Sequence, residues 1–244
     1  MIYYVFIFYG GLKFFYGFCL FQYAFTFLIK GEKGGKLKFI LITLLAGGFH
    51  VMFYIFLVFG LVNLKIKNRK YLIKIIIVSS IALTGFMIIS GGDFLNYIQV
   101  LIDDLENEKL SGYSVLRTNW GFLLPIGIHV LTIIYTLTYR NIVRKYDQGK
   151  WYFYANSMLY VSLMAVIFYP TFMIALTFMR LLTALSLTII IASGYGQKYF
   201  NEIDRLKLLL SGFIIICLYY YINIYLGGYM DKAVLPFFDS YYFK

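Results

Sequence analysis

The stretch that decides the fold runs from Phe39 to Asn63 and reads FILITLLAGGFHVMFYIFLVFGLVN. It carries no formal charge, and it is long enough to cross a bilayer, which takes about 20 apolar residues. His50 lies near its middle, two residues after the pair Gly47-Gly48. An ionisable residue at membrane depth is a candidate for function by default, and glycines allow another backbone or a ligand to come close. His50 is therefore the first candidate for chemistry.

The composition places the whole chain in a membrane. Of its 244 residues, 61% are hydrophobic and only 14% are charged, whereas soluble domains average about 25% charged residues. Backbone polar groups in lipid must be satisfied within their own segment, so the long apolar runs are predicted to be helices. The sequence predicts an all-α, polytopic integral membrane protein that forms a single membrane domain with about seven transmembrane helices.

Polar connectors set the predicted boundaries of these spans. Pro170 and Arg180 divide the apolar run from Trp151 to Gly196, which is too long for one crossing. The segment 91–119 contains many of the chain's carboxylates and has apolar residues at helical spacing, which predicts an amphipathic external segment at the membrane surface. The spans themselves are expected near residues 12–29, 39–63, 71–90, 121–139, 152–174, 178–196 and 208–226.

The net charge of +11 comes largely from lysines and arginines in the short connectors. Basic loops stay on the cytoplasmic side of a membrane, so this charge predicts orientation rather than binding to nucleic acid. The basic connectors 65–70 and 139–150 and the acidic segment 91–119 agree with simple alternation, but the basic connector 30–38 does not. Two explanations stay open. Either the chain breaks near Gly47-Gly48 and does not cross fully, or one basic loop violates the rule.

A few polar residues are candidates for a site. His50 suits a base or a hydrogen-bond donor, with simple packing as the alternative. Arg180 and Arg117 suit phosphate binding, because a guanidinium stays charged and makes bidentate contacts; for Arg117 the alternative is an ion pair with a nearby carboxylate. Tyr113 is a candidate for sugar contacts, and Gln22 for either a substrate contact or a hydrogen bond between helices. The histidines lack a carboxylate at ligand spacing, so no metal site is predicted.

Several short motifs carry a family resemblance. Phe21-Gln22-Tyr23-Ala24, a lysine-rich connector and Lys38-Phe39 precede Leu45-Ala46-Gly47-Gly48-Phe49-His50, and Lys109-Leu110-Ser111-Gly112-Tyr113 and Arg180-Leu181 follow. In this order they resemble the EpsG-type branch of the Wzy polysaccharide polymerases. That family's pattern has an Arg-Gln pair, a basic loop, Ala-x-x-Phe-His, Lys-Leu-x-x-Tyr and Arg-Leu-x-x-Tyr-Phe. This chain departs from it at Phe21, in place of the arginine, and at Ala184-Leu185, in place of Tyr-Phe.

The resemblance implies a reaction and a set of residues. It implies a short or N-terminally truncated member of a family that polymerises O-antigen, capsule or exopolysaccharide repeats in the bacterial cytoplasmic (inner) membrane. The donor would be a polyprenyl-diphosphate-linked oligosaccharide, attacked by a sugar hydroxyl of a second lipid-linked chain. His50 and Arg180 are implied to be catalytic, and Arg117, Tyr113 and Gln22 to bind substrate. The implied glycosyltransferase uses no metal or other cofactor, and other membrane proteins of polysaccharide assembly and export are expected partners.

Two other functions fit the sequence. A non-catalytic transporter-like or scaffold subunit of an export system would also have broken spans and intramembrane polar groups. An O-antigen-ligase-like transferase would share the donor but change the acceptor. A polymerase is expected to gather Arg117, Tyr113 and Arg180 at the external face, whereas a transporter is expected to bury paired polar groups at the midplane.

Overall fold

The computed structural model describes residues 2–63, 66–90, 123–147, 149–174 and 179–221. These ranges are helical almost throughout, and the prediction of an all-α polytopic membrane protein is confirmed. The predicted external segment 91–119 lies outside the described residues, and so do Tyr113 and Arg117. The elements are α1 (Ile2–Lys30), α2 (Gly35–Phe49), the 3-10 helix η1 (Val51–Asn63), α3 (Ile66–Ile89), α4 (Leu123–Tyr146), α5 (Lys150–Met164), the 3-10 helix η2 (Ala165–Phe168), α6 (Tyr169–Ile174), α7 (Met179–Ser193), the 3-10 helix η3 (Gly194–Tyr199) and α8 (Glu202–Tyr221).

Four helical segments among the described residues are long and apolar enough to cross a membrane. They are Leu12–Lys30, Lys70–Ile89, Leu123–Tyr146 and Lys150–Phe172, and the shorter apolar helices are Val51–Val62 and Arg180–Ser193. Large apolar side chains are exposed along these helices, as a lipid-facing surface requires. The side chains of Cys19 and Cys217, which lie in apolar runs of the sequence, are exposed in the structure.

The Phe39–Asn63 stretch does not form the single span expected at 39–63. α2 ends at Phe49, His50 adopts an extended conformation with φ −151° and ψ 119°, and η1 then begins at Val51. An added Cβ on Gly60 would lie 3.7 Å from the ring of Phe39 and 4.0 Å from Ile40, so the end of η1 lies beside the start of α2. The chain therefore reverses at His50, and α2 and η1 form a hairpin whose two ends lie on the same side of the bundle; we call it the re-entrant hairpin.

Packing on α1 fixes this re-entrant hairpin. A Cβ on Gly35, at the start of α2, would stand 2.8 Å from the carbonyl oxygen of Phe27, so α2 begins in contact with the α1 backbone. Near the tip, a Cβ on Gly17 would stand 3.1 Å from the carbonyl oxygen of Ala46 and 2.6 Å from the ring of Phe53. The absence of side chains at Gly17 and Gly35 lets α1 lie against both arms over most of their length.

The period of the phenylalanines explains the 3-10 geometry of η1. Phe53, Phe56, Phe59 and Val62 recur every third residue, and each is at most 1% exposed. A helix with three residues per turn places such residues directly above one another, whereas an α-helix would spread them around its surface. The stripe packs against Phe21, with ring centroids of Phe21 and Phe56 4.3 Å apart. Buried aromatic packing thus selects an unusually long 3-10 helix.

The reversal resolves the charge conflict in the sequence. Because the two ends of the re-entrant hairpin lie together, the basic connector at 30–38 and residues 66–70 at the start of α3 lie at the same end of the bundle. The connectors after α4 and α7 lie at that end too: a Cβ on Gly31 would stand 2.5 Å from Phe153, and one on Gly196 3.1 Å from the Tyr139 hydroxyl. We call this end the basic face, defined by Lys30–Lys38, Lys70, Arg144–Lys150 and Arg205–Lys207. Of the two explanations left open, the incomplete crossing is the one in the structure, with the break at His50.

Pro170 bends the long segment from Lys150 to Ile174. Proline has no N–H, so the carbonyl of Val166, four residues before it, loses its usual α-helical partner and accepts the N–H of Tyr169 instead. The hydroxyl of Ser80 in α3 donates to this carbonyl oxygen at 2.5 Å. The bend at η2 therefore gains a hydrogen bond from a neighbouring helix, which joins α3 to the middle of the bundle.

Candidate functional site

His50 forms the tip of the re-entrant hairpin. α2 has 15 residues and η1 has 13, which gives arms about 22 Å and about 26 Å long at the rises of the two helix types. Because a hydrocarbon core is about 30 Å thick, the tip reaches most of the way to the side opposite the basic face. His50 is half-buried there.

The imidazole of His50 is held by rings and by one backbone contact. Phe14 of α1 meets it edge-on, with ring centroids 5.3 Å apart, and Phe53 of η1 lies at 6.3 Å. The N–H of Met52 points at Nδ1 over 3.4 Å, a long hydrogen bond. A neutral imidazole that accepts at Nδ1 carries its proton on Nε2. Within the part of the chain that the structure describes, Nε2 makes no hydrogen bond, so its N–H is available as a donor.

The Ala-x-x-Phe-His motif has a physical explanation in this geometry. Ala46 is fully buried, and its carbonyl accepts the His50 N–H at 3.1 Å, which closes the last turn of α2. A larger side chain at Ala46 would interfere with the close contact to Gly17. The ring of Phe49 packs on Tyr16, with centroids 5.9 Å apart. The small residue, the aromatic residue and the histidine thus build the tip on α1.

Arg180 is the charged residue that the fold brings toward His50. It lies in the first turn of α7, at the end away from the basic face, and it is half-buried. Its positive charge acts on the imidazole of His50, although 130 residues separate the two in sequence. The fold therefore brings two residues that the sequence indicated separately within electrostatic range of each other. A guanidinium and an imidazole N–H are both donors of the kind that bind phosphates.

Gln22 does not join His50 and Arg180. It lies eight residues after Phe14 along α1, about 12 Å closer to the basic face at the rise of an α-helix. Its Nε2 is buried and has no hydrogen-bond partner among the described residues. Phe21 occupies the place of the family's arginine and is fully buried against Phe56, so an apolar contact replaces that charge.

A buried polar network holds α7, and the sequence analysis missed most of it. Thr132 of α4 and Ser186 of α7 share a hydrogen bond of 3.0 Å, and Ser186 donates to the Tyr219 hydroxyl of α8 at 3.1 Å. Tyr135 and Ser193 form a further buried pair. The sequence contains a pattern that predicts such a network, because polar residues recur every three or four positions along one face of the apolar α4. The network sets the position of α7 and hence of Arg180 in its first turn.

His129 belongs to the same face of α4. It is fully buried, and its Nδ1 lies 2.9 Å from the hydroxyl of Tyr169. The two rings meet edge-on with centroids 5.5 Å apart. An enclosed histidine with a neutral partner joins α4 to α6, and it lacks the access to membrane or solvent that His50 has.

A family comparison agrees with the motifs. The EpsG family model matches residues 1–237 of the 244. The chain belongs to the EpsG family. No curated protein and no solved structure matches it. This EpsG family member is thus a multi-pass membrane protein of a polysaccharide polymerase type.

Proposed function

We propose that the chain polymerises polyprenyl-diphosphate-linked oligosaccharide repeats into a surface polysaccharide, with His50 and Arg180 as catalytic residues. The observation that carries the proposal is the position of His50. It lies at the tip of a re-entrant hairpin, far from the basic face and within the electrostatic reach of Arg180. By the positive-inside rule this tip faces the outer side of the cytoplasmic membrane, where lipid-linked repeats would be joined.

The reaction places different demands on the two residues. The hydroxyl oxygen of the acceptor sugar forms a bond to the anomeric carbon of the donor, and the bond from that carbon to the diphosphate oxygen breaks. The bonding pair leaves with the diphosphate, whose growing negative charge Arg180 would stabilise. The diphosphate oxygen also takes up the proton of the attacking hydroxyl, so atoms and charge balance without a metal.

The Met52 contact favours one of the two roles considered for His50. Since Nδ1 accepts from the Met52 N–H, Nε2 carries the proton of the neutral ring. In this tautomer His50 donates a hydrogen bond to a diphosphate or hydroxyl oxygen and orients it, rather than removing a proton. Arg117, Tyr113 and Gln22 remain proposed substrate-binding residues, with Gln22 placed deeper than the reacting atoms.

The experiment compares lipid-linked oligosaccharides in cells with and without the chain. Loss of a polymerase is expected to leave single repeats on the outer face of the membrane and to abolish long polymer. In a ligase-like case, long polymer would persist on its lipid but would not reach its final acceptor. Accumulation of normal long polymer on lipid would therefore contradict polymerisation.

One observation favours a transporter-like function as the second candidate. Paired polar groups are buried between α4, α7 and α8, as in the contact between Thr132 and Ser186. These pairs are uncharged and hydrogen-bonded to each other, which is typical of contacts between membrane helices. In a transporter, loss of the chain would leave single repeats on the inner face, so the side on which repeats accumulate distinguishes the two functions.

A further inference from the structure

A second candidate site lies at the basic face, at the opposite end of the bundle from His50. A cavity of about 370 Å³ opens there between α1, α4, α5 and α7. Its walls include apolar side chains such as Met158 and Ala192, and the proposed polymerisation does not use it. The polar and aromatic residues that line it are Tyr23, Lys30, Tyr139, Lys150, Trp151 and Tyr154.

Two buried phenols in this lining have no partner. Tyr139 is 1% exposed and Tyr154 is 5% exposed. The hydroxyl groups of both are buried and make no hydrogen bond to any described residue. A buried hydroxyl without a partner destabilises a fold, so an acceptor oxygen that reached either phenol from the cavity would stabilise the protein.

The positive charge at the mouth of the cavity favours an anionic ligand. Lys30 and Lys150 are exposed at the mouth of the cavity, and the Lys150 ammonium lies 5.7 Å from the centre of the Tyr154 ring. None of the described lining residues is a carboxylate. The nearby Asp147 is engaged elsewhere, because it accepts the N–H groups of Gly149 at 2.7 Å and Trp151 at 2.9 Å. The cations available to an anion among the described lining residues are thus Lys30 and Lys150.

We propose that this cavity binds the phosphate of an anionic phospholipid from the leaflet at the basic face. The phosphate would lie between Lys30 and Lys150 and accept hydrogen bonds from Tyr139 and Tyr154. An acyl chain would cover the apolar wall at Met158, which a free phosphate ion would leave in contact with water. Basic residues beside aromatic ones at the surface of a bilayer provide both contacts at one site.

The test measures binding of a defined lipid to the purified full-length chain. Delipidated protein is titrated with phosphatidylglycerol in phosphatidylcholine nanodiscs, and bound lipid is counted by native mass spectrometry. The double variant Lys30→Gln/Lys150→Gln is expected to bind phosphatidylglycerol about tenfold more weakly or worse. Tyr154→Phe is expected to weaken binding as well, although it leaves the charge unchanged.

A second pair of lysines provides the matched control. Lys33→Gln/Lys36→Gln removes the same charge from exposed positions of the same connector, outside the cavity, and is expected to bind normally. Equal losses of phosphatidylglycerol binding in both double variants would overturn the proposal. They would show that the lipid is attracted to the charge of the whole basic face rather than bound in the cavity. Inorganic phosphate that displaces the lipid at equal concentration would overturn it too, because the site would then recognise a soluble ion.

Discussion

The ring of Tyr54 lies against Gly47, in the space that a methyl group at Gly47 would fill. The two residues face each other across the re-entrant hairpin, one shortly before His50 and the other shortly after it. Gly48, the next residue, has nothing within 4 Å of the position of an added Cβ. The hairpin therefore requires a glycine at position 47 but not at position 48.

Gly47→Ala is expected to destabilise the re-entrant hairpin, because the Tyr54 ring must move out of its packed position. Overpacking costs about 1–3 kcal/mol in a closed core, but the Tyr54 ring is 41% exposed and can turn outward, so a fall of only a few degrees in the melting temperature of the purified protein is expected. Gly48→Ala adds the same methyl group into open space and should leave melting unchanged or raise it slightly. Equal melting of the two variants would mean that Tyr54 does not pack on Gly47.

Chemical labelling of single cysteines tests the reversal at His50. In a variant with Cys19 and Cys217 replaced by alanine, Lys33→Cys and Lys70→Cys are expected to react with an impermeant thiol reagent from the same side of the membrane. Ser90→Cys, at the far end of α3, should react from the other side. If residues 39–63 crossed the membrane once, the cysteines at positions 33 and 70 would react from opposite sides.

Ser80→Ala is expected to destabilise the bend at Pro170. The variant removes one of two donors to the Val166 carbonyl, which keeps the Tyr169 N–H, so the loss is about 1 kcal/mol and should lower the melting temperature. Pro170→Ala restores an N–H for that carbonyl, so Ser80→Ala should cost less in a Pro170→Ala background. Ser79→Ala, an exposed neighbour, is the control, and equal effects of Ser80→Ala in both backgrounds would contradict the coupling.

Arg180→Ala is expected to reduce polymerisation about 100-fold or more, as loss of a group that stabilises transition-state charge does. Arg180→Lys should retain part of the activity, because it keeps the charge but loses the bidentate geometry. The measurement is the rate of polymer formation in membranes that contain equal amounts of each variant.

Lys13→Ala provides the control for Arg180, since Lys13 is an exposed cation next to Phe14 at the same end of the bundle. It should leave polymerisation unchanged. Equal impairment by Lys13→Ala and Arg180→Ala would show that the surface charge of this end matters rather than the individual position of Arg180.

The sequence predicted the class of fold but not the path of one segment. Apolar length identifies what lies in the membrane, and the all-α polytopic prediction is confirmed on that basis. Length does not distinguish a crossing from a reversal, because Phe39–Asn63 is apolar throughout. The charge of connector 30–38 exposed the conflict, and the repeat of Phe53, Phe56 and Phe59 every third residue marked the 3-10 arm. The turn itself depends on packing against α1, and the sequence of residues 39–63 alone does not reveal that packing.

The candidate site was predictable only in part. Residue chemistry and motif order selected His50 and Arg180 separately, and the fold places them within electrostatic reach. Gln22 was grouped with them on motif order, yet the straight path of α1 carries it toward the basic face. The network from Thr132 to Tyr219 was missed because serine, threonine and tyrosine are common in this chain, and their pairing appears only when the helices are packed. The functional roles of all these residues remain predictions.

The most direct test of the central claim is the polymer length distribution produced by variants of His50 at equal membrane abundance. His50→Ala is expected to lose long polymer, whereas His50→Gln should retain part of it, because its amide N–H replaces the donor at Nε2. Val51→Ala, which truncates the neighbouring residue that is 70% exposed, should give polymer of normal length. Normal polymer from His50→Ala would contradict the account.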